Sequence, residues 1–156
     1  MGKLKLKWKK LSAAIDRLQE ISLDFDKVEI LDQDELKELS KRHTYLKEDR
    51  LYYYLRESLI QRFEICVDLF WKYLALYTKE KTQKTSELNG PAPSVRAAHK
   101  AKIVTEKDAE IFLKMIKDRN MTSHIYKDEV AEEISKKTPL YYELMKKYID
   151  KLRPLD

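Results

Sequence analysis

The sequence is poor in the residues that make disulfides, turns and membrane spans. It contains one cysteine, two glycines and four prolines in 156 residues. A lone Cys66 cannot form an internal disulfide, which argues against a disulfide-stabilised secreted domain and favours a reducing compartment. Lysines interrupt the N-terminal stretch before an apolar run of signal-peptide length, and no later run reaches the roughly 18 apolar residues of a membrane span. We therefore expect a cytoplasmic protein without a membrane segment.

The composition that remains is typical of helices. Hydrophobic residues make up 43% of the chain and charged residues 38%, with both signs mixed, so the chain can build a core and stay soluble. The net charge of +5 permits a polyanionic partner, although charges this interspersed mostly mark solvated helix faces. The fold class that we predict is all-α, an up-and-down helical bundle of about five helices. Residues 1–156 should form a single domain, with a loop at about 81–93.

Three long segments carry apolar residues at helical steps of three and four. The first begins at Trp8 and continues to about Ile21, and the strongest spans residues 50–80, where Phe63, Phe70 and Trp71 are predicted core residues. The third runs from Asp128 to about Leu152, and Pro139 is expected to kink or divide it.

Shorter helices are expected where a capping residue precedes a brief apolar pattern. Asp34 can cap a helix carrying Leu36, Leu39 and Leu46. Ser94 can cap a helix through Lys100, and Thr105 with Asp108 resembles a capping arrangement for the helix that follows.

Several common catalytic motifs are absent, which narrows the candidate site. The chain has no Gly-rich phosphate loop, no His-Glu-x-x-His pair and no Cys-x-x-Cys, so no metal site is predicted. Residues 115–126 hold the densest group of chemically capable side chains outside a charge run. The candidate site residues within it are Arg119, Asn120, His124 and Tyr126.

Helical geometry restricts how these residues can work together. On one helix Asn120 and His124 would lie one turn apart, whereas Arg119 and His124 would point about 140° apart. Either the backbone bends within the motif, or Arg119 of one protomer works with His124 of another across a two-fold axis. We favour the second arrangement, to which a bend could contribute.

The residue types suit acid–base chemistry on a phosphodiester. An imidazole can take a proton from a ribose 2′-hydroxyl or return one to the leaving 5′-oxygen, and a guanidinium can hold the charge on the phosphate. No metal is needed for that reaction. The alternative is that Arg119 and His124 only cap helix ends and bond neighbouring groups, and residue chemistry alone slightly favours it.

Two flanking features could assist such a site. Arg62 and Glu64 lie beside the apolar stripe of the central segment and could orient the motif, or form a solvated pair. Lysines near the N-terminus and at Lys100 and Lys102 could steer RNA or merely solubilise the chain.

The run Arg119-Asn120-x-x-x-His124-x-Tyr126 resembles the R-x4-H-x-Y signature of HEPN domains, in the branch described as nucleotidyltransferase substrate-binding proteins. The segment from Arg56 to Glu64, followed by Trp71-Lys72, is similar to the long-helix pattern of that family. Residues 93–98, Pro-Ser-Val-Arg-Ala-Ala, resemble its short helix. The sequence departs from the family at Lys102, where a glycine is usual, and in the longer region 23–49.

The resemblance implies a homodimer in which two R-x4-H motifs face each other in a cleft. It implies a metal-independent endoribonuclease toxin that acts on RNA and needs no cofactor, with His124 as the general acid–base group, Arg119 stabilising the phosphate and Asn120 positioning the substrate or a neighbouring residue. A minimal nucleotidyltransferase antitoxin would adenylylate Tyr126 and silence the toxin. The alternatives are a non-catalytic substrate-binding subunit of a nucleotidyltransferase and a helical adaptor.

Overall fold

The structure is a computed structural model that describes residues 2–29, 31, 33–42, 50–83 and 89–155. Within these ranges the chain forms helices and no strands, which confirms the predicted all-α bundle. The α-helices are α1 (Lys3–Glu29), α2 (Gln33–Arg42), α3 (Arg50–Thr82), α4 (Pro91–Lys100), α5 (Glu106–Met121) and α6 (Asp128–Lys151), with a 3₁₀ turn at Thr122–His124. None of the described helices is long and apolar enough to cross a bilayer.

The core lies between α1, α3 and α6, the three long helices. The predicted stripe of α1 is confirmed, since Leu11, Ile15 and Leu18 are fully buried. The indole Nε1 of Trp8 donates to the carbonyl of Ile149 at 2.8 Å, which joins the start of α1 to the end of α6. Burial of this stripe, more than intrinsic propensity, stabilises a long helix.

The central helix α3 supplies several of the buried aromatic residues. Phe63 and Phe70 are buried as predicted, and Phe70 packs on Phe112 of α5 with ring centroids 4.6 Å apart. The prediction that Trp71 is a core residue is wrong, because its side chain is only partly buried. Consecutive residues of a helix point about 100° apart, so Trp71 lies at the rim of the core although its neighbour Phe70 is buried.

Two predictions about helix starts are wrong. Helix α4 begins at Pro91 with Gly90 as its N-cap, and Ser94 lies inside the helix, where its Oγ donates to the Gly90 carbonyl at 2.7 Å. A proline is favourable in a first helical turn because the amide there needs no intrahelical partner. Asp34 likewise lies in the first turn of α2 instead of preceding it, where its charge suits the helix dipole.

The predicted cap of α5 is confirmed. Thr105 is the N-cap, and its side chain accepts a hydrogen bond from the Asp108 amide at 3.2 Å. Before it, Lys102 has a φ of +59°, and the Lys102 and Ile103 amides bond the carbonyls of His99 and Ala98, both at 2.9 Å. This is a Schellman turn, and Lys102 occupies its left-handed position, which glycine favours. Lys102 is also the position, noted in the sequence, where HEPN domains usually have glycine.

Helix α6 continues without interruption from Asp128 to Lys151, so the expectation that Pro139 divides it is wrong. Residues on both sides of Pro139, including Ile134 and Tyr141, are buried in the same core. Packing of both halves therefore outweighs the lost backbone hydrogen bond. Of the other predictions, Leu46 and residues 84–88 of the loop lie outside the described residues, as do the side chains of Leu36 and Leu39.

Candidate functional site

The motif lies where α5 ends and not along one straight helix. Arg119 and Asn120 are in the last turn of α5, His124 closes the 3₁₀ turn, and Tyr126 lies just before α6. Asn120 and His124 therefore do not share one straight α-helix, and the backbone bends within the motif. The reason is local, because the Thr122 hydroxyl donates to the Arg119 carbonyl at 2.7 Å and competes with continued α-helical bonding.

Arg119 is held against α3 by a carboxylate. Its Nε and Nη2 donate to the two oxygens of Asp68, each at 3.1 Å, in the paired geometry that suits a guanidinium. Its Nη1 lies 3.8 Å from Glu64 and 3.5 Å from the Thr122 hydroxyl. The hydrogen bonds to Asp68 raise the pKa of Arg119 above its usual value, against the effect of burial. Arg119 is therefore fixed in orientation and stays charged.

Asp68 is a site residue that the sequence analysis missed. It lies one helical turn after Glu64 on α3 and 51 positions from Arg119, so no local pattern connects it to the motif. The available signal was a second carboxylate at the edge of the apolar stripe of α3. The prediction that Glu64 could orient the motif agrees with its approach to Arg119, whereas Arg62 lines a groove elsewhere on α3.

His124 and Tyr126 form an exposed pair. The imidazole Nδ1 lies 3.3 Å from the phenol oxygen of Tyr126, and the ring planes are inclined at 61°. Tyr126 is 75% exposed, which is unusual for a tyrosine in a protein with a formed core. The Lys127 ammonium lies 6.0 Å from the centre of the Tyr126 ring. Both reactive groups are therefore accessible from solvent.

The structure brings the predicted site residues together in two groups and not in one. Arg119 joins Asp68 and Glu64, and His124 joins Tyr126, while the side chain of Asn120 is exposed. Across the described part of the chain, no hydrogen bond or ring contact links Arg119 to His124. An arrangement across two protomers remains a prediction.

A buried arginine holds the beginning of α6, immediately after the motif. Arg56 of α3 donates to Asp128 at 2.7 Å and to Glu132 at 2.9 Å, and Tyr52 also donates to Glu132. Burial lowers the pKa of Arg56, but the two hydrogen bonds outweigh it and the net shift is upward. Burial and Glu132 raise the pKa of Tyr52 to about 12. These contacts, which we call the Arg56 cluster, fix the turn that carries Tyr126.

The other end of the motif is held in a similar way. Asp118, which precedes Arg119, accepts a hydrogen bond from Tyr141 and lies 3.4 Å from the Lys137 ammonium. Burial, with Asp118 as a further cause, raises the pKa of Tyr141, so this phenol stays protonated and donates. The motif is thus a rigidly supported surface turn between α5 and α6.

Two cavities lie elsewhere on the surface. One of about 580 Å³ is lined by the start of α1, the end of α3 and residues 153–155, and one of about 350 Å³ lies between α1 and α3. Neither includes a motif residue. Among the described residues, no group of three or more His, Cys, Asp or Glu side chains is placed to hold a metal ion.

Comparison with known proteins gives one family and a solved relative. A sequence model of the family described as nucleotidyltransferase substrate binding protein like matches residues 7–154. The crystal structure of ttk003001694 from Thermus thermophilus is similar, with 26% identity and a TM-score of 0.69 over 92% of this chain and 99% of that chain. No protein with a curated description matches significantly.

Proposed function

This chain belongs to the family of nucleotidyltransferase substrate-binding-like proteins, and on that premise we propose that it is a metal-independent HEPN-type endoribonuclease toxin controlled by a minimal nucleotidyltransferase. It would act in the cytoplasm as a single domain, 1–156, that forms a homodimer, with RNA as its substrate. His124 is the acid–base group and Tyr126 the residue that the partner modifies.

The contact between His124 and Tyr126 carries the proposal. Because the Tyr126 oxygen lies 3.3 Å from the imidazole Nδ1, a nucleotide attached to that oxygen would cover the imidazole. The 75% exposure of Tyr126 leaves it accessible to a second enzyme. Catalysis and control would therefore occupy the same turn, so modification of one side chain inactivates the other.

The chemical step needs only protein groups. One imidazole removes the proton of a ribose 2′-hydroxyl, the 2′-oxygen attacks the adjacent phosphorus, and the bond to the 5′-oxygen breaks. The proton is returned to that 5′-oxygen. Arg119 has five N–H donors, of which two bind Asp68 and one points to the Thr122 hydroxyl, so the remaining donors can stabilise the charged phosphate.

The test is cleavage of a labelled RNA by the purified chain in the presence of a metal chelator. We expect His124→Ala to lower the rate by about 100-fold or more, the usual contribution of a general acid–base group. His99→Ala is the matched control, because this exposed histidine lies outside the motif and, among the described residues, its imidazole bonds the Val104 carbonyl alone, at 3.1 Å. Equal rates for wild type and His124→Ala would contradict the catalytic proposal.

The proposed modification of Tyr126 needs a separate measurement. With a minimal nucleotidyltransferase and labelled ATP, wild type should acquire label and lose its ribonuclease activity. Tyr126→Phe should acquire none and keep cleaving RNA, since the ring remains and only the acceptor oxygen is lost. Labelling of Tyr126→Phe would assign the modification to another residue.

A second candidate function is a non-catalytic binding subunit of the nucleotidyltransferase. It is favoured by the two carboxylates beside Arg119, because Asp68 and Glu64 weaken the attraction of its guanidinium for a phosphate. Under this function the chain cleaves no RNA but still forms a complex with the nucleotidyltransferase. Cleavage by the isolated chain therefore decides between the two.

A further inference from the structure

A groove with an apolar floor and a basic rim runs between α1 and α3. Its volume is about 350 Å³. The floor consists of Ala13 and Ala14 of α1 and of Ile65 and Leu69 of α3. Ile65 is 47% exposed although it lies on the central helix α3, which supplies more buried hydrophobic residues than any other described helix. A large aliphatic side chain left exposed in a concave site is typical of a binding surface.

The charged residues that line this groove are all positive. Its remaining lining residues are Lys10, Arg17 and Arg62, and no carboxylate lines it. In the described chain, none of these three takes part in an ion pair. Since like charges gathered without counter-charges repel one another, this arrangement favours an acidic occupant.

Positive charge also continues beyond one end of the groove. Burial lowers the pKa of Lys7, and the nearby cations Lys3, Lys72 and Lys10 lower it further. Lys7 lies one helical turn before Lys10, and the two lysines are close enough for their charges to interact. The basic rim therefore extends along α1 instead of ending at the cavity.

The length of the surface matches a short helix. The groove is lined on α1 by residues from Lys10 to Arg17. Leu6, which is 48% exposed, lies one turn before Lys10 on the same face of α1, so an exposed strip that includes the groove extends from Leu6 to Arg17. Eleven steps at 1.5 Å per residue give about 17 Å, or three helical turns. A helix lying in the furrow between two packed helices would contact the floor through residues spaced three and four apart.

We propose that this α1–α3 groove binds an acidic amphipathic helix of a partner protein, with small apolar residues on the floor and carboxylates against Lys10, Arg17 and Arg62. A second copy of this chain is disfavoured, because the same groove would bring cations against cations. RNA is disfavoured because the floor is aliphatic and offers no aromatic ring on which a base could stack.

The position of the groove would place the partner beside the motif. Glu64 and Asp68, which approach Arg119, directly precede Ile65 and Leu69 on α3. A helix bound in the groove would thus lie along the neighbouring face of the element that orients Arg119. The inference does not require that this chain cleaves RNA, so it can fail or hold independently of the proposed function.

The test uses the full chain and three fluorescent probes. The first is a synthetic 14-residue helical peptide with an alanine and leucine stripe flanked by glutamates. The second has lysine in place of every glutamate, and the third is a twelve-nucleotide oligouridylate. We expect the acidic peptide to bind in fluorescence anisotropy titrations, more weakly as salt is added, and the lysine peptide not to bind.

Variants locate the binding site. Arg17→Glu and Ile65→Asp should each weaken binding of the acidic peptide by about tenfold or more, since one reverses a rim charge and the other places a carboxylate in the floor. Arg96→Glu on α4 is the matched control, because Arg96 is also exposed and lies outside the groove, and it should change affinity little. Circular dichroism verifies that each variant is folded.

Any of four results would overturn the inference, of which the first three concern differences between probes and variants. These three are equal binding of the acidic peptide by wild type and both groove variants, binding of both peptides alike, and binding of the oligouridylate alone. Failure of every probe to bind wild type would count against it as well.

Discussion

Removal of Arg56 should destabilise the bundle more than removal of any exposed arginine. Only 6% of the Arg56 side chain is exposed, and it pairs with Asp128 at 2.7 Å and Glu132 at 2.9 Å. Arg56→Met keeps most of the side-chain volume and removes the charge. The two carboxylates are then left without their cation at the first turns of α6.

The expected cost follows from the exposure of those carboxylates. Breaking a buried ion pair by removing one partner usually costs about 3–5 kcal/mol. Here the Asp128 side chain is 69% exposed and Glu132 29%, so water can solvate them partly after the change. The Nε of Arg56 is also buried without a hydrogen-bond partner, which reduces what the wild-type cluster contributes. We therefore expect a loss of about 2–3 kcal/mol, or a decrease in Tm of about 5–10 °C.

The assay is thermal and urea unfolding followed by circular dichroism at 222 nm as a general helical signal. Arg62→Met is the matched control on the same helix, because Arg62 pairs with no described carboxylate, and it should stay within about 0.5 kcal/mol of wild type. Adding Glu132→Gln to Arg56→Met should recover part of the loss, since it removes an uncompensated charge.

The Arg56 cluster should also affect the motif. The Lys127 amide bonds the His124 carbonyl at 2.9 Å, one residue before α6 begins. Its hydrogen exchange should become faster in Arg56→Met if the cluster supports this turn. A Tm change no larger than that of Arg62→Met, with unchanged exchange at Lys127, would refute the reasoning.

Three further predictions concern the rest of the fold. Lys102→Gly should raise the free energy of unfolding by about 1 kcal/mol in urea titrations, and Lys102→Ala should not, because φ is +59° there and only glycine avoids the left-handed penalty. Burial raises the pKa of Asp108, but hydrogen bonds led by that from Tyr148 outweigh it and the net pKa is lowered. Stabilisation by the Asp108 carboxylate is then present above pH about 4 and lost as pH falls through its folded-state pKa, so the cost of Asp108→Asn should be full at pH 7 and should decrease as the pH falls below about 4. Cys66 is fully buried, and burial raises the pKa of its thiol to about 12, so a thiol reagent at pH 8 should label it only after unfolding.

Family membership and the structure bear on different aspects of the proposed function, the partner and the chemical groups. Membership connects the chain with nucleotidyltransferases, and the structure shows an accessible His124–Tyr126 pair and, as a separate group, a guanidinium held by Asp68. Family membership supports a nucleotidyltransferase as the partner. The structure has an imidazole that suits acid–base chemistry and an exposed phenol that suits modification. The two experiments proposed above separate these functions because cleavage and labelling use different residues.

The sequence by itself determined the helical class, the long helices and the location of the motif. Periodic burial predicts α1, α3 and α6 because a helix buries one stripe, and Thr105 predicts the start of α5 because an N-cap is a local hydrogen bond. The composition, with two glycines and four prolines, already excluded most other architectures.

Only the tertiary structure decided what each functional side chain meets. Asp68 binds Arg119 across 51 positions, and Arg56 reaches Glu132 across 76, which no helical spacing encodes. Trp71 lies on the rim and α6 continues through Pro139 because packing against neighbouring helices, and not the local pattern, sets those outcomes. Periodicity tells which face of a helix is buried, whereas the identity of the facing helix depends on how the whole bundle closes.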